Sequence, residues 1–304
     1  MRARAKAIAT FLAVTCGFSW ALLAIFHLRG GGPEGLLATV VLPYSLGPLM
    51  GALFLQWRRN EKAMTLLGGD PFPNLWFLAA WAIPPAVVLA ALGLSALVPH
   101  AYPSFSGLAH LEAMRSHLSA KTYASSKKDL QHVPAILAFG AFFVPAVFYG
   151  ATVVAVVALG EEIGWRVTLL RELAPLGFWP TALILGVARA AWITPLVVAG
   201  FPYPAPLIPR VLVIAGFSLV VGVLATFLRV KGGSVLPSAL FIGELSATSN
   251  LLTLYVIGGS RMATGAFGVV ELAVLAVATA VVVFPRAPGK SAVAQLAVAP
   301  ADSP

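Results

Sequence analysis

Glu161, Glu162 and Arg166 stand in the stretch GEEIGWR, residues 160–166, directly after an apolar run that ends at Leu159. A carboxylate held in an apolar setting can take a proton from a water and make that water a nucleophile. Ionisable residues at the centre of a membrane helix cost about 2.5–3.5 kcal/mol on insertion scales, so by default they read as function. On a helix Glu162 and Arg166 are i and i+4 and face one another, which predicts a bracing ion pair. Glu161 is turned about 100° from Glu162 and is left to face another partner, such as a water. Trp165 shares the Glu161 face and is expected to wall that site. The competing reading is an ion-paired helix end at the membrane interface with no chemistry, and spacing alone leaves both open.

The elements that must hold these residues follow from composition. The 304 residues are 59% hydrophobic and 10% charged, against about 45–50% apolar and 25% charged in soluble domains. Apolar runs of roughly 20 residues span a bilayer as helices. The runs are continuous rather than alternating, which excludes a membrane barrel. The chain therefore reads as an all-α polytopic membrane protein with about eight transmembrane helices, at 7–27, 35–56, 75–97, 133–159, 177–199, 211–228, 233–257 and 264–284. These form one membrane-embedded domain, residues 1–284, followed by a tail at 285–304 whose Ala and Pro content predicts disorder. The first span follows Arg2, Arg4 and Lys6 but lacks a small-x-small cleavage site, so it reads as a retained helix. GEEIGWR falls at the end of the fourth span, or inside it if that helix begins late. No soluble domain and no internal repeat is apparent. In the longest loop, about 98–132, Leu108, Leu111, Met114 and Leu118 recur at helical spacing, consistent with a short interfacial helix.

The formal net charge of +9 would suit nucleic acid, but membrane topology explains it without such a partner. With eight spans, twelve Lys and Arg lie on the side of the termini and seven on the other. That bias predicts cytoplasmic N- and C-termini. The single cysteine, Cys16, permits no internal disulfide.

GEEIGWRVTLLRELAPLGFWPTALILG, with Gly160, Trp165, Leu169 and Leu170 as well as the three charges, resembles the first conserved block of the CPBP intramembrane glutamic proteases. That family includes the type II CAAX prenyl endopeptidases and a bacterial branch. Further blocks agree in order: SLGPLMGALFL from Ser45, WITPLVVAGFPYP from Trp192 and GGSVLPSAL from Gly232. The resemblance covers roughly residues 8–260. It implies an eight-span fold in a bacterial cytoplasmic membrane and no cofactor. It also implies hydrolysis of a peptide bond in or near the membrane by a water that Glu161 activates, with Glu162 beside it.

The same resemblance shows what is missing. The family's second-motif histidine falls at Ile193 and its aromatic partner at Arg189; the histidine and asparagine of the last motif fall at Ile242 and Ser246. All five histidines, His27, His100, His110, His117 and His132, precede GEEIGWR. Isoleucine neither donates, accepts nor binds metal, and no zinc site is expected. Losing several members of a catalytic unit removes most of its rate. In their place the sequence offers Arg189 and Glu244, buried charges that should be paired or line a cavity. A polar cluster of Glu161, Glu162, Arg166, Arg189 and Glu244 is therefore expected; structural pairing without chemistry is the competing reading. Arg189 cannot be a base, but it can stabilise an oxyanion. Three functions remain: a glutamic peptidase, a pseudoprotease that binds or chaperones membrane peptides or proteins, and a proton-coupled carrier. The carrier lacks the repeats and broken helix pairs such proteins show. The expected partners are membrane lipids and a peptide or membrane-protein substrate or client.

Overall fold

Proline placement decides where this chain departs from simple spans. A computed structural model describes residues 2–61, 67–69, 72–106, 108, 111–112, 115, 118–130 and 132–297. The helix α1 (Arg2–Leu28) is followed by three short ones, α2 (Pro33–Thr39), α3 (Val41–Ser45) and α4 (Gly47–Arg59). Thus the expected span 35–56 is broken. Pro43 and Pro48 lack the N–H that would bond the carbonyl four residues back. Pro48 so releases the carbonyl of Tyr44, which accepts from Ser19 Oγ at 2.8 Å.

Next come α5 (Leu75–Ser95), a short strand β1 (Ala101–Pro103) and α6 (Ala120–Leu130). A helical run of 42 residues, α7 (Ala135–Leu176), follows. It contains two π-helical segments, Gly150–Val154 and Ile163–Leu169, and ends in a 3-10 turn at Gly177, whose φ is 88°. α7 runs well past 159, so GEEIGWR lies inside a helix and not at its end. The remaining helices are α8 (Phe178–Val198), α9 (Leu207–Gly232), α10 (Leu236–Tyr255), α11 (Arg261–Thr264) and α12 (Val269–Val283). A second short strand, β2 (Val256–Gly258), pairs antiparallel with β1.

Six helices or helical segments are long and apolar enough to cross a membrane: Arg2–Leu28, Leu75–Ser95, Ala135–Leu176, Phe178–Val198, Leu207–Gly232 and Arg261–Arg286. The chain is an all-α membrane protein, with one short strand pair among the described residues. Two of the eight expected spans are outside this set, the broken 35–56 segment and α10, which carries Glu244, Asn250 and several hydroxyl residues. In the loop after α5, Leu111 is buried, whereas Met114, His110 and His117 lie outside the described residues. In the tail, Lys290–Ala294 is helical and Val293 is fully buried, because its apolar side chain docks on the main core. Residues 298–304 lie outside the described residues.

The helices approach closely where glycine removes a side chain. A Cβ on Gly164 would sit 2.5 Å from the Pro48 carbonyl oxygen, and one on Gly243 would sit 2.5 Å from the Ala155 nitrogen. The first contact lays α4 on the second π segment, and the second lays α10 on α7 beside the first.

Candidate functional site

Glu161 and Glu162 are the last two residues before the second π segment, and both are buried. They point to different partners, as expected from adjacent helix positions. Glu162 Oε1 accepts from Arg166 Nη1 at 3.0 Å, with both side chains fully buried. Arg166 also donates to the Val221 carbonyl at 3.4 Å, which ties the brace to α9. The backbone carbonyl of Arg166 accepts in turn from Arg229 Nε at 3.2 Å. Arg229 reaches on to the carbonyl of Gly68, so one buried chain of donors links α7, α9 and the loop after α4.

Glu161 is not left to water alone. Its Oε1 accepts from Arg189 Nε at 2.9 Å, and Arg189 Nη2 lies 2.9 Å from the same oxygen in the ion pair. Arg189 stands midway along α8, so the pair crosses between helices. Oε2 of Glu161 makes no hydrogen bond among the described residues and remains the free oxygen of the pair.

This ion pair forms part of the wall of a cavity of about 280 Å³. Ile193, Ile242 and Ser246 line the same cavity, together with Tyr44, Leu196, Phe201, Phe217 and Phe267. The positions carried over from the second and last motifs therefore converge with Glu161, although the side chains there are apolar or a single hydroxyl. Among the described residues, no group of three or more His, Cys, Asp or Glu is placed to hold a metal ion.

Two expected members do not join. Trp165 is fully buried between Phe11 and Trp192, with ring centroids 5.5 and 5.8 Å away. Trp192 lines the cavity and shuts Trp165 off behind it. Glu244 does not enter the charge cluster. Its carboxylate lies against Gly150, where an added Cβ would be 3.0 Å from Oε2. Both of its oxygens are buried without a hydrogen-bond partner. Ile242 and Ser246 face the cavity, so Glu244, two residues from each, falls on another side of α10.

Several residues of the site escaped the sequence reading. Pro195, inside α8, lacks the N–H that would bond the Ala191 carbonyl one turn back. In the same turn the Trp192 carbonyl accepts from Tyr44 Oη at 2.5 Å and Trp20 Nε1 at 3.1 Å. Trp192 Nε1 donates to Ser19 Oγ at 2.9 Å, closing a network that fixes the cavity wall. Glu271 is a further buried carboxylate; it accepts from Ser249 Oγ at 2.5 Å and the Phe267 N–H at 2.6 Å. Its signal was present in the sequence, as one Glu three residues after Gly268 at the start of an apolar run, where a helix's third residue can reach back to free N–H groups.

Residues 143–242 match the family model of the type II CAAX prenyl endopeptidase Rce1-like proteins. The match covers about a third of the chain and includes Glu161, Glu162, Arg166, Arg189, Ile193 and Ile242. A comparison with curated proteins finds no match.

Proposed function

We propose that this chain, an integral membrane protein carrying an Rce1-like domain, holds an apolar peptide segment of a substrate or client protein in the Glu161 cavity without the ordinary hydrolytic turnover. The observation that carries this reading is the Arg189–Glu161 ion pair in a cavity whose walls at 193 and 242 are isoleucine.

Peptide hydrolysis needs a base for the attacking water and donors for the oxyanion that forms on the carbonyl. Among the described residues Glu161 is the only carboxylate lining the cavity, and one of its oxygens is taken up by the Arg189 guanidinium. Ile193 and Ile242 supply neither a proton nor a hydrogen bond. What persists is a shaped apolar space with one polar patch, which suits recognition of a membrane-embedded segment. The reading assigns no cofactor and no metal. It takes a bacterial cytoplasmic membrane from the family resemblance, and both termini inside from the Lys and Arg bias.

A second reading has its own observation. Arg189 Nη1 makes no hydrogen bond among the described residues and is available to an oxyanion, and Oε2 of Glu161 is free. That would sustain slow hydrolysis by a glutamate–arginine pair.

Restoration separates the two. The quadruple variant Arg189→Phe, Ile193→His, Ile242→His, Ser246→Asn and the native chain are reconstituted in lipid nanodiscs and assayed on a panel of membrane peptides. The expected result is saturable binding by both and cleavage by the restored variant only. Cleavage by the native chain that Glu161→Gln abolishes would establish the second reading instead.

A further inference from the structure

The cavity has a polar end and an aromatic end. Along α8 its lining runs from Arg189 through Ile193 to Leu196, a distance of about 10 Å at 1.5 Å per residue. The lining also includes Phe201, in the segment after α8, with Phe217 and Phe267, and Phe267 is hydrogen-bonded to Tyr203 of that same segment. Phe267 and Phe217 meet edge to face, with centroids 5.4 Å apart at 85°.

Phe267 is held there at a conformational cost. Its φ is 57°, in the left-handed region that a bulky side chain disfavours. Both of its backbone polar groups are anchored. The N–H donates to Glu271 Oε2 at 2.6 Å, and the carbonyl accepts from Tyr203 Oη at 3.3 Å. Glu271 is itself fixed through Ser249 of α10, 2.5 Å away. The Ser249 Oγ also lies 2.5 Å from the Leu245 carbonyl. An amide at position 271 keeps the acceptor for the Phe267 N–H and can donate to the Ser249 Oγ.

Three elements thus converge to press one phenyl ring into the end of the cavity. We propose that Phe267 is the specificity-determining wall of the site, limiting the size of the apolar group that an occupant can place beyond Leu196, and that Glu271 is the residue that positions it. This rests on the reading of the cavity as a recognition site for apolar segments.

The test uses the full chain in nanodiscs and two sets of ligands. The first is a series of uncharged N-methyl n-alkylamides, binding being read by calorimetry. Each methylene that fits raises affinity about fourfold, until the chain meets the end wall. In the native protein affinity is expected to climb and then stop climbing; in Phe267→Ala the climb continues to longer chains. Glu271→Ala is expected to blur the stopping point, whereas Glu271→Gln keeps it. No binding by the native protein, or the same stopping point in Phe267→Ala, would overturn the proposal. An equal loss across the whole series in Glu271→Ala would reduce Glu271 to a structural role and overturn that part. The second set is the peptide panel described above. Binding of the amides but not of the peptides would sink the peptide reading and leave the end wall standing.

Discussion

The charges that first drew notice divide by their partners. Glu162 and Arg166 are fully buried and joined at 3.0 Å. Removing one member of a buried pair leaves an uncompensated charge and costs about 3–5 kcal/mol, whereas replacing both by apolar groups is often neutral. Arg166→Met is therefore expected to destabilise the protein by about that amount, and Glu162→Leu combined with Arg166→Met to recover most of it, measured by denaturation in mixed micelles. Equal losses in the single and double variants would show that Arg166 matters through its bond to Val221, not through the pair.

Outside the membrane segments a second carboxylate permits a pH prediction. Glu112 is held below the usual carboxylate range by a hydrogen bond from Tyr123 and a second from Arg115. The Tyr123 hydroxyl is pushed up, first by the same bond to Glu112. A lowered carboxyl contributes above its ordinary range and loses that contribution as pH falls through its folded value. A raised phenol contributes below its ordinary range and loses that contribution as pH rises through its folded value. The contact is thus expected to hold over a window wider at both ends than free side chains would give. Tyrosine NMR shifts across pH would read it, and Tyr123→Phe should return the Glu112 midpoint toward the ordinary carboxylate range. An unchanged midpoint would remove the Tyr123 bond from the account.

At the scale of elements, packing turns on positions without side chains. Gly243 meets α7 at Ala155 and Gly164 meets the Pro48 backbone. Neither neighbour is a flexible side-chain tip, so a methyl group forces the helices apart. Overpacking of this kind costs about 1–3 kcal/mol. Gly243→Ala and Gly164→Ala are each expected to lower stability by that amount in the same denaturation assay, and Gly17→Ala, where nothing lies within 4 Å, to keep it or raise it slightly. Loss at Gly17 matching that at Gly243 would show that close approach does not set the effect, since alanine is the better helix former at both positions.

Much of this arrangement was legible in the sequence and some was not, for reasons that are local. The brace at Glu162–Arg166 was readable because i and i+4 residues meet on any helix. Arg189 was readable as a partner for Glu161 because it lies one turn from Ile193 and both had to face one cavity. Glu244 was misplaced because its spacing from Ile242 gives no single face, and only the packing at Gly150 shows where it points. The break within 35–56 was written in Pro43 and Pro48, but apolar content alone drew a continuous span. The length of α7 was hidden because π segments absorb the charged stretch into the helix.

For the molecule as a whole, contacts between loops favour one crossing number. If only the six long apolar segments crossed, the loop after α5 and the segment after α10 would lie on opposite faces of the membrane. Yet β1 of that loop pairs with β2 directly after α10. The same count would separate the start of α8 from the C-terminal segment, although Trp179 meets Phe284 with centroids 5.0 Å apart. Counting the broken 33–59 segment and α10 as crossings puts both pairs on common sides. Cysteine labelling of intact cells tests this, in a Cys16→Ser background, since Cys16 is the chain's one cysteine. Ser125→Cys and Ser260→Cys, both at exposed positions, are expected to react with an impermeant maleimide from outside. Asn60→Cys and Ser291→Cys, also exposed, are expected to react only after the membrane is opened. Labelling of 125 and 260 from opposite faces would exclude eight crossings, and with them the expected cytoplasmic placement of the ion pairs Arg59–Glu172 and Arg171–Glu61 that clamp the C-terminal ends of α4 and α7.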